Sequence, residues 1–110
     1  ALISDGRLKT EAALSGSFAT IKTAPTVGAK TVTSTAAELF AGASRKAGRY
    51  LMSAHNEGSL IVYWGPSGVT VNTGYPLLPG DSVVWQFDPS TATPIYAVAS
   101  GSTTVRVVEI

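Results

Sequence analysis

The sequence predicts an all-β fold: a small antiparallel β-sandwich, jelly-roll-like, carried behind an extended N-terminal arm. Three observations predict it. From residue 30 onward, short β-branched or aromatic runs alternate with turn residues at intervals of roughly 8–12 residues. No segment holds a helical period: AELFAG (37–42) has helix formers but is too short to be stable alone. The turns, finally, are written out in Gly, Pro and Asn.

Residues 1–28 form the first unit, an arm. They are rich in Ala, Ser, Thr and Lys, with scattered Leu2, Ile3, Leu8, Leu14, Phe18 and Ile21 and no sustained period. Gly6, Gly16, Pro25 and Gly28 interrupt any long helix. Such an arm frays alone or orders against a neighbouring chain. Residues 29–110 form the second unit, the sandwich, with strands expected at KTVTST, RYLMSAH, SLIVYW, VTVN, SVVWQF, PIYAVAS and TTVRVVEI. In SVVWQF, Val83, Trp85 and Phe87 share one face while Val84 and Gln86 share the other. SLIVYW is apolar on both faces, so that strand is central or has its outer face covered by a second subunit. HNEGS (55–59) offers Asn56 and Gly58 for a hairpin, GPSG (65–68) a proline turn, and LPGD (78–81) a type II turn centred on Pro79 and Gly80. The last run is expected to pair within a sheet.

Composition narrows the function. At 110 residues the chain is one domain; 45% is hydrophobic and only 14% charged, against the usual ~25%. Low charge suits a surface covered by a partner. With no cysteine, disulfides, thiolate metal sites and cysteine nucleophiles are excluded. No apolar run approaches the ~20 residues of a membrane span, and the N-terminus lacks a signal-peptide layout, so no membrane partner and synthesis in the cytoplasm are expected. A net charge of +1 does not suit a dedicated nucleic-acid binder. The charge is uneven: seven basic and three acidic residues give +4 over 1–50, one basic and four acidic give −3 over 51–110. The halves neutralise each other within one fold, or meet across subunits or on an acidic partner.

Candidate chemistry is sparse. His55 is the single histidine, and no GxSxG elbow accompanies it, so a Ser-His-Asp triad has no support. Zinc needs three or four ligands and calcium a ring of oxygens, and neither pattern is present; no cofactor is expected. PGD is similar to a turn of cupin barrels, whose metal site needs several histidines. Asp81 and Asp88, at opposite ends of one strand, read as turn and cap residues rather than a glycosidase pair. GASRKAG (42–48) lacks the GK[ST] of a phosphate loop. That leaves the basic run Arg45, Lys46 and Arg49, which docks on an acidic surface or stands as a solvated loop, and the aromatics. Strand alternation sends Trp64 and Trp85 to the core and leaves Tyr63 and Tyr75 for an exposed or intersubunit face.

The run IVYWG … VTV … GYPLLPGDS, followed by IYAVASGSTTVRVVEI, resembles the small β-sandwich domains of tailed-bacteriophage virion proteins, especially capsid decoration (cement) and head-fibre base proteins. The opening DGRLKTEA resembles N-terminal segments of phage structural proteins. The resemblance covers about the last 60 residues and rests on turn and strand positions, with no catalytic signature. It implies a non-enzymatic virion protein, typically trimeric, bound to the major capsid protein at the capsid surface. The contact residues expected on that basis are Arg7, Lys9, Phe18, Arg45, Lys46, Arg49, Tyr63 and Tyr75. Glycan binding through the tyrosines, as in a fibre, neck or tail module, is the alternative.

Overall fold

A computed structural model describes residues 24–110, and the structural statements below concern these residues. Eight strands run β1 (Thr26–Val32), β2 (Ala37–Glu38), β3 (Leu51–Asn56), β4 (Val62–Gly65), β5 (Tyr75–Leu77), β6 (Ser82–Gln86), β7 (Tyr96–Ala99) and β8 (Thr103–Glu109). They form two four-stranded sheets, ordered β1-β8-β3-β6 and β2-β7-β4-β5, and every pairing is antiparallel. The chain changes sheet at every connection except β4 to β5. That order is a jelly roll, two interlocked Greek keys, as the sequence predicts.

The core lies where the two inner faces meet. Met52, Ala54, Val105 and Val107 of the first sheet pack against Val62, Leu77, Ala97 and Ala99 of the second, all buried. Each side chain obeys the alternation of its strand; β8, for example, buries Thr103, Val105, Val107 and Glu109 and exposes Arg106. Fully burying a Val, Leu or Met contributes roughly 1.5–3 kcal/mol, so this layer supplies most of the driving force. Where β1 meets the inner layer, Gly28 is required by contact: a Cβ there would lie 2.1 Å from the Ala41 carbonyl oxygen.

Three expectations change in detail. The first strand begins at Thr26, inside the segment assigned to the arm, because β8 offers partners along the whole of Thr26–Val32. HNEGS is not a hairpin, since β3 pairs with β6 and β8 and the chain then crosses to the other sheet. Asn56 makes that crossing. Fully buried, it donates from Nδ2 to the carbonyls of Leu60 and Leu77, both at 2.8 Å, and accepts from Gly58 N–H at 3.0 Å. VTVN is a turn, not a strand, because the Thr70 and Thr73 hydroxyls capture nearby backbone groups. That turn also explains β4. Central between β7 and β5, β4 has its outward Tyr63 covered by the chain's own 66–74 loop; a Cβ on Gly74 would lie 2.6 Å from Tyr63 Cβ. LPGD, by contrast, is the type II turn expected: Asp81 N–H donates to the Leu78 carbonyl at 2.9 Å and Gly80 has φ of 89°.

Candidate interaction surface

Arg7, Lys9 and Phe18 lie outside the described residues. The other five expected contact residues fall into two groups on different parts of the sandwich. Arg45, Lys46 and Arg49 sit on the loop between β2 and β3. Tyr63 and Tyr75 sit on β4 and β5.

The basic loop is largely consumed by the fold, and Arg49 corrects the expectation outright. It is 3% exposed, and its Nη1 donates to Glu109, which is 0% exposed. The same guanidinium donates from Nη2 to the Thr93 carbonyl at 2.9 Å and lies over the Phe87 ring at 4.6 Å. Glu109 also accepts from the backbone N–H groups of Ala41 (2.9 Å) and Lys46 (3.2 Å). The β2–β3 loop is thereby tied at three points to the carboxylate at the end of β8, and the β6–β7 loop is tied to Arg49. Arg49 is thus an internal cation, and no partner can reach it. The sequence signal was available in retrospect: inward alternation along TTVRVVEI places Glu109 in the core, where a charge needs a partner.

Arg45 is half-buried against Glu38, whose hydrogen bond raises the guanidinium pKa above its ordinary value, and it also donates to the Ala92 carbonyl at 3.0 Å. Lys46 Nζ donates to the Ala24 carbonyl at 3.2 Å, at the foot of β1. Its charge remains at the surface.

The aromatic group makes a more open site. Trp64 of β4 and Trp85 of β6 meet across the two sheets, ring centroids 5.0 Å apart and edge to face. Both are half-buried, so core packing holds them as expected, and their indole Nε1–H groups are buried without an acceptor among the described residues. Tyr75, paired with Trp64 in register, stands outside them with centroids 5.7 Å apart and 68% of its surface exposed. This is the flank where β5 and β6, the edge strands of the two sheets, leave the sandwich open. A groove of about 410 Å³ runs along it, lined by Trp64, Tyr75, Leu78, Asp81, Ser82 and Val83. Leu78 is 47% exposed. Tyr63, facing the opposite way under the 66–74 loop, is half-buried and separate from this groove.

His55 Nδ1 lies 2.8 Å from Ser82 Oγ on the exposed outer face of the first sheet. Among the described residues, no group of three His, Cys, Asp or Glu side chains gathers to hold a metal. Comparisons with protein-family models, with curated proteins and with solved structures gave no match.

Proposed function

We propose that this chain is a decoration protein of a tailed-bacteriophage capsid, acting as a homotrimer that binds the major capsid protein on the outer surface and stabilises the shell. The observation that carries the proposal is the combination of a low-charge jelly roll with bare apolar surface at its margin. Tyr75, Leu78, Val84 and Val27 are 68%, 47%, 58% and 61% exposed. On a chain with only 14% charged residues, apolar side chains left in water support a surface that a partner covers. Jelly rolls serve in viral shells and lectins alike, so the fold alone does not choose; the resemblance of GYPLLPGDS and its flanks to virion sandwiches supports the first.

The mechanism is binding without bond chemistry. A subunit that contacts several capsid proteins at once binds the closed lattice better than the opened one. It therefore raises the cost of local opening by the ratio of those affinities. Three linked copies at a symmetric site raise effective concentration, so weak single contacts suffice. With Arg49 internal and Arg45 held by Glu38, the docking role falls mainly on Tyr75, Leu78 and Lys46.

One observation favours a second reading. Tyr75 offers a bare ring beside Asp81 and Ser82, the mixture of stacking face and hydroxyl-binding groups that a sugar uses. Cosedimentation with expanded, undecorated capsids separates the two. The decoration reading expects the protein to pellet with shells and Tyr75→Ala to weaken that binding about tenfold without loss of fold. Failure to bind any such shell, with saturable glycan binding lost in Tyr75→Ala, refutes it in favour of the module.

A further inference from the structure

Among the described residues the two sheets have four edges, and two of them are closed to pairing by a proline or by shortness. β5 carries Pro76 at its centre, which has no N–H to offer, and β2 is two residues long. β6 and β1, the two margins of the first sheet, have neither device.

Their free groups can be assigned. Asn56 N–H donates to the Asp81 carbonyl and Phe87 N–H to the Tyr50 carbonyl, so odd-numbered residues of β6 face β3. Ser82, Val84 and Gln86 therefore turn their backbone groups outward. On β8, Ile110 and Leu51 exchange both bonds, which turns the even positions to β3 and the odd ones to β1. With Thr26 opposite Glu109, it is Val27, Ala29 and Thr31 that face the open side of β1. Among the described residues nothing pairs with either edge.

We propose that the β6 edge of one copy pairs antiparallel with the β1 edge of the next, so that the first sheet continues from subunit to subunit. This rests on the homo-oligomeric reading above and names the surfaces that meet. One register satisfies all three outward residues on both sides: Ser82 opposite Thr31, Val84 opposite Ala29, Gln86 opposite Val27. The strand directions allow it, since β6 runs opposite to β1 within the sheet. Val27 and Val84 already lie in one cross-sheet row, Val27–Val108–Ser53–Val84, on the outer face, and the joined sheet continues such rows across the seam.

Charge selects this pairing over the symmetric one. The stretch 78–92 carries Asp81 and Asp88 and no cation, while β1 carries Lys30 and has Lys46 bonded to Ala24 at its foot. In the proposed register Asp88 falls beside the neighbour's Pro25, next to Lys46, and Asp81 falls at the end of β1 that holds Lys30. Pairing β6 with β6 about Val84 would instead set Asp81 beside Asp88 of the second copy, twice. The contact is heterologous, so it closes only as a ring, and three such seams make the trimer.

The chain has no cysteine, so introduced thiols report alone. Opposed residues of a hydrogen-bonded antiparallel pair have Cα atoms about 5.5 Å apart, within disulfide reach. Within one copy, Ala29 and Val84 stand three strand spacings and two residues apart, roughly 16 Å, too far to bridge. Under mild oxidation the double variant Ala29→Cys/Val84→Cys is expected to run as covalent trimer on a non-reducing gel, while Ala29→Cys and Val84→Cys alone remain single chains. Covalent dimer from Val84→Cys alone overturns the proposal in favour of the symmetric contact. An uncrosslinked double variant with trimer mass by light scattering overturns the seam and leaves the trimer standing. An uncrosslinked variant with monomer mass removes both.

Discussion

The Arg49–Glu109 pair gives the sharpest test of how this fold is held. Both side chains are out of water, at 3% and 0% exposure, and neither has a second opposite charge to turn to if the other is lost. Breaking a buried pair from one side costs about 3–5 kcal/mol, a large share of the 5–15 kcal/mol available to a domain. The two sides are unequal. Arg49→Met leaves a carboxylate that still accepts from Ala41 and Lys46 N–H. Glu109→Gln leaves a buried guanidinium with no carboxylate, only the Thr93 carbonyl, the Met52 sulfur and the Phe87 ring, and turns an amide donor toward other donors. Glu109→Gln is therefore expected to be the worse, at the upper end of that range, and Arg49→Met the milder, near 3 kcal/mol. At ~4 °C or more per kcal/mol, each lowers Tm by at least about 12 °C. Urea unfolding followed by Trp64 and Trp85 fluorescence measures both. The double variant Arg49→Met/Glu109→Leu is expected to lose less than the sum of the singles, by about 1–3 kcal/mol of coupling. Single losses below ~1 kcal/mol would refute the reasoning, because the pair would then be behaving as a solvated surface contact.

Two further outcomes follow from side chains that serve backbone groups. Asn56→Ala removes three hydrogen bonds, one that joins β3 to β5 across the two sheets and two that hold the start of the crossing loop. A loss of about 3 kcal/mol in urea unfolding is expected, and a loss under ~0.5 kcal/mol contradicts that role. Asp88 accepts from the Ser90 N–H at 3.0 Å and hydroxyl at 2.8 Å, which hold its carboxyl below the ordinary range. A depressed folded value means that the turn's contribution is complete above the unfolded carboxyl pKa of ~3.9 and lost as pH falls through the folded one. Ser90→Ala should move the Asp88 titration upward in carboxyl NMR; an unmoved titration rules the hydroxyl out as a cause.

How much of this was legible in the sequence depends on range. Period-two patterning is local, and it placed β3, β6, β7 and β8 and the inward Trp85 correctly. The PG pair announced its turn because the chemistry of φ is local too. VTVN deceived because β-branched residues favour strands only where a partner strand exists. Here the Thr70 hydroxyl bonds back to the Asn72 N–H and the Thr73 hydroxyl to the Thr70 N–H, which closes a turn instead. The sheet change after Asn56 was invisible for the same reason, since Asn-x-Gly serves a hairpin or a crossing equally well. Arg49 was misread as a surface charge because its partner is sixty residues away. In the candidate surface, Tyr75 is exposed as expected, but the groove beside it depends on two edge strands failing to meet. No window of sequence contains that fact.

The position of β8 also governs how the chain reaches this state. Its seven residues fill the slot between β1 and β3, so Thr26 finds its partner only at Glu109. Until β8 arrives, the first sheet is a lone β3–β6 pair on one side and an unaccompanied strand on the other. Such late, long-range closure makes folding a matter of milliseconds to seconds. Throughout that interval Val32 of β1 and Met52 and Ala54 of β3 lack their native cover. Temperature and expression rate should therefore decide the yield of native protein more than its final stability does.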